Sequence, residues 1–552
     1  PELKHDLEQR GYRFRTQSDT EVLLMLYMHY GMDAFSQLNG MFACAVYDRR
    51  NGRLVLARDR FGKKPLFYYH DAERFVFASE LKAVLASGFV PAAVDLVALH
   101  EYLTYGYVVG ERAIVQGVAK LPPASVLVLQ DGRVERRRYW ELRFDPQPNP
   151  PSEPEVVERL EVLLRDAVKR RLMSDVPLGA FLSGGLDSSV VVALMARLSD
   201  RPVKTFTVGF REAEYSELDD ARLVAKHLGT DHHETLVTPD AMGVLRDLVW
   251  YLDEPFGDSS AVPTYYVCRE ARAHVTVAVS GDGGDEVFAG YTRYLDPAPA
   301  RVPGWIQRGL LRPLADRLPF EAPGWNYLYA AGYRDLQRAP TGLDVFFPYI
   351  RDRLYTRDTL DRMRTIDVGA ESARLMARAA HLDPVSRFQY VDTMQYLPAD
   401  ILVKVDRMSM ANSLEVRSPL LDHPVVEYMA TLPVAFKLRG GISKYVLRKV
   451  AERLLPHAVL TKRKQGFALP ADRWFRGDLR QAAAEILLDH QTLSRGYFRK
   501  ETITRMLKHH AAGHRDYSAW IWCLVVLETW FREYLDEPWS VQGKAFRPVS
   551  GH

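Results

Sequence analysis

Three cysteines in 552 residues are too few, and too far apart, to staple a fold. Cys44, Cys268 and Cys523 form no CxxC pair, which excludes a disulfide framework and a thiolate zinc site and favours a reducing cytosol. No apolar run is long enough to span a bilayer. The longest, near Ala519 to Leu527, has Arg515, Asp516, Glu528 and Arg532 close by and reads as a buried helix. A secretory signal pattern is missing, and the chain opens at Pro1 rather than Met. Charge of one sign is lacking too. With 73 basic and 70 acidic residues the net charge is +3, so neither nucleic acid nor an anionic membrane is an expected partner. No GxxxxGK(S/T) and no GxGxxG is present, which removes the two commonest glycine-rich nucleotide loops.

What is there suits a soluble globular protein of two to four domains: 47% apolar and 26% charged residues. Residues 1–144 read as one α/β unit. Ser18-Asp19-Thr20-Glu21 starts a helix that Gly31 stops, and strand-like runs follow at Met41 to Tyr47, Leu54 to Ala57, Leu66 to Tyr69 and Phe75 to Ala78. Asn51-Gly52 is a turn signal, and Val126 to Leu129 with Val134 to Tyr139 reads as a final hairpin. The stretch 145–154 carries five prolines among polar residues and reads as a linker. Beyond it helices alternate with apolar strands at Leu178 to Leu182, Val203 to Val208, Glu234 to Val237 and Val275 to Ser280. That alternation predicts a parallel sheet covered on both faces, in a domain of residues 155–540 that turns mostly helical from about 300, with 541–552 as a tail.

The chemistry concentrates in two loops. The strand Leu178 to Leu182 runs into Ser183-Gly184-Gly185-Leu186-Asp187-Ser188-Ser189, and a helix starts at once. Two glycines bring backbone N–H groups close to a ligand, and the helix N-terminus adds its positive dipole end, so the loop is an anion cradle. The second loop, Gly281-Asp282-Gly283-Gly284-Asp285-Glu286, also follows a strand. Its three carboxylates repel one another unless a cation sits between them, and magnesium is the natural partner. Asp231-His232-His233-Glu234 invites a metal reading, but adjacent histidines on a strand point to opposite faces.

The first loop resembles the SGGxDS loop of N-type ATP pyrophosphatases. Taken in order, SGGLDSS, Thr205 to Phe210, Ser280 to Glu286, Lys404 to Met410, Glu415 to Asp422 and Arg463-Lys464-Gln465-Gly466-Phe467 resemble the glutamine-dependent asparagine synthetases over nearly the whole chain. The resemblance implies a partial glutaminase-like αββα sandwich of the N-terminal-nucleophile type over residues 1–144, followed by a doubly wound ATP pyrophosphatase domain with a largely helical C-terminal part. It implies a ligase that adenylates the side-chain carboxylate of aspartate, releases pyrophosphate, and lets ammonia displace AMP. By the same resemblance Leu182, Val208, Ser280 and Gly281 contact adenosine, while Ser183, Gly184, Gly185, Asp187 and Ser188 hold pyrophosphate. Asp187 and Asp285 serve Mg2+, Lys464 and Lys444 steady the phosphates, and Asp282 stands where some members carry glutamate. Asp19 matches a residue that binds the glutamine amino group. Cofactors are then ATP and Mg2+, the location is cytoplasmic, and the family suggests a homodimer.

Two departures qualify the match. The stretch Glu254 to Ser260 lacks the arginine that some members turn toward the amino acid, so a dicarboxylate would need its positive partner elsewhere. The N-terminal cysteine that serves as nucleophile in class II glutaminases is not in the sequence as written, and Cys44 sits in a strand pattern. The chain as written is therefore expected to use ammonia and not glutamine. Alternative readings are a β-lactam-synthetase-like or other specialised amide former acting on a different carboxylate, and a non-catalytic ATP-binding regulatory module. A tRNA sulfur-transfer enzyme would want a cysteine pair and a basic face that this sequence does not offer.

Overall fold

The computed structural model describes residues 2–210, 217–237, 241–295, 303–318, 322, 324–333, 345–460 and 469–536. The N-terminal segment carries seven strands: β1 (Ala43–Asp48), β2 (Arg53–Arg58), β3 (Phe67–His70), β4 (Phe75–Ala78), β5 (Val118–Lys120), β6 (Ser125–Gln130) and β7 (Arg133–Arg138). They form two antiparallel sheets, β1-β2-β6-β7 and β4-β3-β5. Alternation along β2 and β6 explains the layering. Val55, Ala57 and Val126 turn to one side and pack with Phe35, Leu23 and Tyr27 of the N-terminal helices. Leu56 and Leu127 turn to the other and meet Leu66 and Tyr68 at the second sheet. Beyond that sheet, Phe67 and Val118 pack with the helices Leu81–Ala86 and Leu96–Tyr105. The order helix, sheet, sheet, helix is the αββα sandwich expected.

The chain then runs without helix or strand from Tyr139 to Ser152. Asp145 and Gln147 donate their backbone N–H groups to Ala430 and Thr431, so this prolyl stretch lies against the second half. Five strands follow: β8 (Leu178–Phe181), β9 (Lys204–Phe210), β10 (Asp231–Val237), β11 (Val277–Val279) and β12 (Glu415–Arg417). They make one wholly parallel sheet in the order β10-β9-β8-β11-β12. The chain starts in the middle, winds outward through β9 and β10, then crosses to the other side of β8. The place where the winding reverses lies between β8 and β11, and ligands of open α/β sheets bind there, at the strands' carboxyl ends. Ala180 and Val279 face one core and Phe206 and Ala278 the other, so both faces are covered. The short β12 escapes the sequence reading, which has no strand beyond 280.

One core joins the two halves. Tyr102 of the sandwich is fully buried and donates its hydroxyl to Cys523 O at 2.8 Å. Cys523 belongs to the helix Ser518–Tyr534, which holds the longest apolar run and is buried as predicted. Among the described residues no helix is long and apolar enough to cross a membrane.

Candidate active site

The loop after β8 is closed by its own serines. Ser183 Oγ lies 3.0 Å from Ser188 Oγ, and Ser188 Oγ donates to Gly185 O at 3.2 Å. Gly184 has φ +71°, and a Cβ there would lie 2.6 Å from the carbonyl carbon of Asp220. The loop can only turn this tightly with glycine. The helix Leu186–Leu198 follows and aims its first N–H groups at the same spot.

The loop after β11 meets it. A Cβ on Gly281 would stand 2.7 Å from Ser188 N, and one on Gly284 only 2.4 Å from Asp187 Cγ. Gly284→Ala is therefore expected to displace the Asp187 carboxylate. We expect phosphate-ligand affinity to fall roughly tenfold or more, with the cost of a lost charged contact, while far-ultraviolet dichroism stays unchanged. Titration calorimetry of wild type against variant checks it, and equal affinities would remove the steric argument.

The three carboxylates of the second loop do not share one cation. Asp285 and Asp187 both pair with Lys444, the Asp285 contact being 2.8 Å. Glu286 is buried at the cavity wall, where the Tyr291 hydroxyl donates to it. Burial first, and the Asp285 charge second, push its pKa up to about 7. Asp282 faces the cavity between Lys63 and Lys404, and its charge acts on both. Burial alone would lower the pKa of Lys444, but Asp187 and Asp285 reverse the sign and hold it above its ordinary value.

Across the cavity a second polar cluster faces these loops. Lys404 Nζ lies 2.6 Å from Asp258 Oδ2 and 2.7 Å from Ser260 Oγ. Burial opposes both charges, yet the pairing wins: Asp258 is held below and Lys404 above its usual pKa. Asp400 beside them is raised well above its usual value, first by burial and then by the Asp258 charge. The helix Leu402–Ala411 thus brings a lysine against the stretch Glu254 to Ser260, which has no arginine of its own.

A cavity of about 530 Å³ runs between the two clusters, a size typical of small-molecule sites. Of the residues singled out by sequence, Leu182, Ser183, Gly185, Asp187, Ser188, Val208, Ser280, Gly281, Asp282, Asp285 and Lys444 line it. Gly184 sits behind it against Asp220. Asp19 is exposed at the start of the helix Asp19–Tyr30 and does not line it. Lys464 lies outside the described residues. Lys404 and Asp258 also line it, and neither was assigned a role from the sequence.

A model of the asparagine synthase family matches residues 159–532, and one of the glutamine amidotransferase domain matches residues 1–140. Asparagine synthetase [glutamine-hydrolyzing] 1 of Bacillus subtilis is 34% identical over 98% of this chain and 86% of its own length. The chain belongs to the asparagine synthase family. A putative asparagine synthetase [glutamine-hydrolyzing] of Mycobacterium tuberculosis is also 34% identical, over 97% of this chain and 83% of that protein. The amidase chyE of Penicillium rubens is 27% identical over 88% and 78%. Within this asparagine synthase fold, Asp187 and Asp285 fit magnesium in one specific way. Among the described residues no cluster of three or more metal-ligating side chains occurs, so a protein-only cage is absent there. Two carboxylates beside a phosphate cradle suit an ion that takes its other ligands from substrate phosphates and water.

Proposed function

We propose that this asparagine synthase family member adenylates the side-chain carboxylate of aspartate with ATP, releases pyrophosphate, and forms asparagine when ammonia displaces AMP. The carrying observation is a single cavity with an anion cradle at one end and the Lys404–Asp258 pair at the other. A carboxylate oxygen attacks the α-phosphorus, and the bond to the bridging oxygen of pyrophosphate breaks. Ammonia nitrogen then attacks the acyl carbon, AMP leaves with the oxygen, and the nitrogen loses a proton.

The loop Ser183–Ser189 holds the departing phosphates through backbone N–H groups and the helix dipole. Lys444 places a fixed positive charge where negative charge grows on the leaving group. Magnesium, bound by Asp187 and Asp285, would neutralise the phosphates further. Asp282 faces the cavity and is suited to accept the proton from the incoming nitrogen. Lys404 would take the α-carboxylate of the amino acid and Asp258 its ammonium group. Free ammonia is the proposed nitrogen source for the chain as written, and glutamine the source when the amidotransferase segment, matched over residues 1–140, carries its nucleophilic cysteine.

The test is mass spectrometry of products from a panel of carboxylic acids, with ammonium and with glutamine. Equal AMP and pyrophosphate together with asparagine supports the reading. An amide of another acid would move the substrate, and ATP binding without AMP would sink the ligase reading altogether. Lys404→Met gives a sharper check. We expect KM for aspartate to rise roughly 10- to 100-fold, the cost of a lost charge-assisted bond, with KM for ATP changed less than about twofold. The acid 3-aminopropanoate, which lacks the α-carboxylate, should respond little to the change.

A further inference from the structure

The loop between β2 and β3 is built more rigidly than a connection needs to be. The Asp59 carboxylate accepts backbone N–H groups from Lys63 at 3.0 Å and Lys64 at 2.9 Å. The Arg58 guanidinium donates to the carbonyls of Gly62, Lys64 and Leu121, each at 2.7 Å. This scaffold fixes where two adjacent lysines of the amidotransferase segment point, and both enter the synthetase half. Lys64 Nζ pairs with Asp406 at 2.7 Å, on the helix that carries Lys404. Lys63, only 5% exposed, donates to Ser418 Oγ at 2.7 Å. Ser418 Oγ lies 3.1 Å from Ser280 Oγ, and Ser280 N donates to Arg417 O at 2.8 Å. Ser280 lines the nucleotide cavity and opens the turn that carries Asp282 and Asp285.

We infer that Lys63 is a positioning residue for the nucleotide site, a cation lent by the amidotransferase segment that holds Ser418 and Ser280 in place and balances Asp282. The inference rests on the proposed ATP site and adds a residue from the other half of the chain. A purely structural lysine would be better placed with its ammonium in water. Here the ammonium is fully withdrawn, and it ends on a hydroxyl pair that touches the cavity. The charges facing it are Asp282, Lys64, Asp406 and Asp59. Burial outweighs the attraction of Asp282 and brings its pKa down to about 8. Its charge is therefore mostly present at pH 7 and largely lost at pH 9, while Lys444 and Lys404, both held above their ordinary values, stay charged.

The experiment is ATP binding by titration calorimetry on the full chain at pH 7 and pH 9, for wild type, Lys63→Met, Lys63→Arg and Ser418→Ala. We expect Lys63→Met to weaken binding roughly tenfold and Ser418→Ala roughly threefold, with Lys63→Arg close to wild type at pH 7. Wild type should weaken several-fold between the two pH values, and Lys63→Arg should not. Affinities of Lys63→Met and Ser418→Ala within twofold of wild type overturn the inference. So does an equal loss in the methionine and arginine variants together with a flat wild-type profile. Should Lys63→Met fail to fold, Ser418→Ala and the wild-type pH dependence still decide. Binding needs no turnover, so tight, Lys63-dependent ATP binding without AMP formation would sink the proposed function and leave this inference standing.

Discussion

Lys444→Met is expected to slow pyrophosphate release roughly 100- to 1000-fold, the range seen when one preorganised stabiliser of developing charge is removed. It should also destabilise the ligand-free protein by about 3–5 kcal/mol, because removing one partner of a buried ion pair strands the other. Here the strand is double: Asp187 and Asp285 share Lys444 and would face each other without it. The geometry argues against easy repair. A Cβ on Gly290 would lie 2.0 Å from both Asp285 Oδ1 and Lys444 Cε, so there is little room to rearrange. Lys444 also sits at φ +55°, which commits its backbone to this placement. Because its folded pKa is raised, its stabilisation is fully present below the ordinary lysine value and is lost only at strongly alkaline pH. Activity of the variant should not recover anywhere between pH 6 and 9. Magnesium ions added without nucleotide should raise the variant's denaturant midpoint more than wild type's, since a cation would replace the missing charge. Wild-type rates in the variant, or an unchanged midpoint, would refute the assignment.

The central sheet was legible because β8, β9 and β11 hold buried, largely apolar runs. The three-residue β12 was not. Both its ends are charged, Glu415 and Arg417, and only its distant pairing with β11 makes it a strand. The first glycine loop could be read as an anion cradle from its two glycines and the helix that follows, and the second as a turn of carboxylates that needs a cation. Which way their carboxylates point could not. Gly283 at φ +87° and the short helix Gly284–Phe288 splay Asp282, Asp285 and Glu286 into three surroundings. Lys404 shows the same limit on a helix. Lys404, Asp406 and Arg407 lie within one turn, and the sequence does not say that the first faces the cavity while the others reach Lys64 and Asp253. Such directions depend on partners more than a hundred residues away, and no local pattern encodes them.

Asp253→Ala should cost about 3–5 kcal/mol of stability, comparable to Lys444→Met but for reasons remote from the chemistry. Asp253 is 0% exposed and joins three helices. Its carboxylate pairs with Lys82 of the sandwich at 2.8 Å and with Arg407 of the helix Leu402–Ala411 at 2.8 Å. Tyr534 donates its hydroxyl to it at 3.3 Å, and Trp530 donates to the Asp253 carbonyl at 2.8 Å. Burial would raise the pKa of Asp253, but Arg407 and then Lys82 outweigh it and hold it below the ordinary value. The stabilisation is thus present above the usual carboxylate pKa of about 4 and is lost as pH falls through the lower folded value. Wild type should weaken on acidification in that window, and a variant without the carboxylate should weaken less. Asp253→Asn separates charge from backbone. At φ +67° asparagine is tolerated better than alanine, so Asn should lose the ion pairs but spare the turn. If denaturant midpoints fall equally for both variants, the charge carries the effect; a larger fall for alanine assigns part to the turn; no fall in either refutes the pin. The same helix presents Lys404 to the cavity. A loosened Arg407 should therefore raise KM for the amino acid before it touches KM for ATP, which links a stability defect at the junction of the halves to substrate recognition.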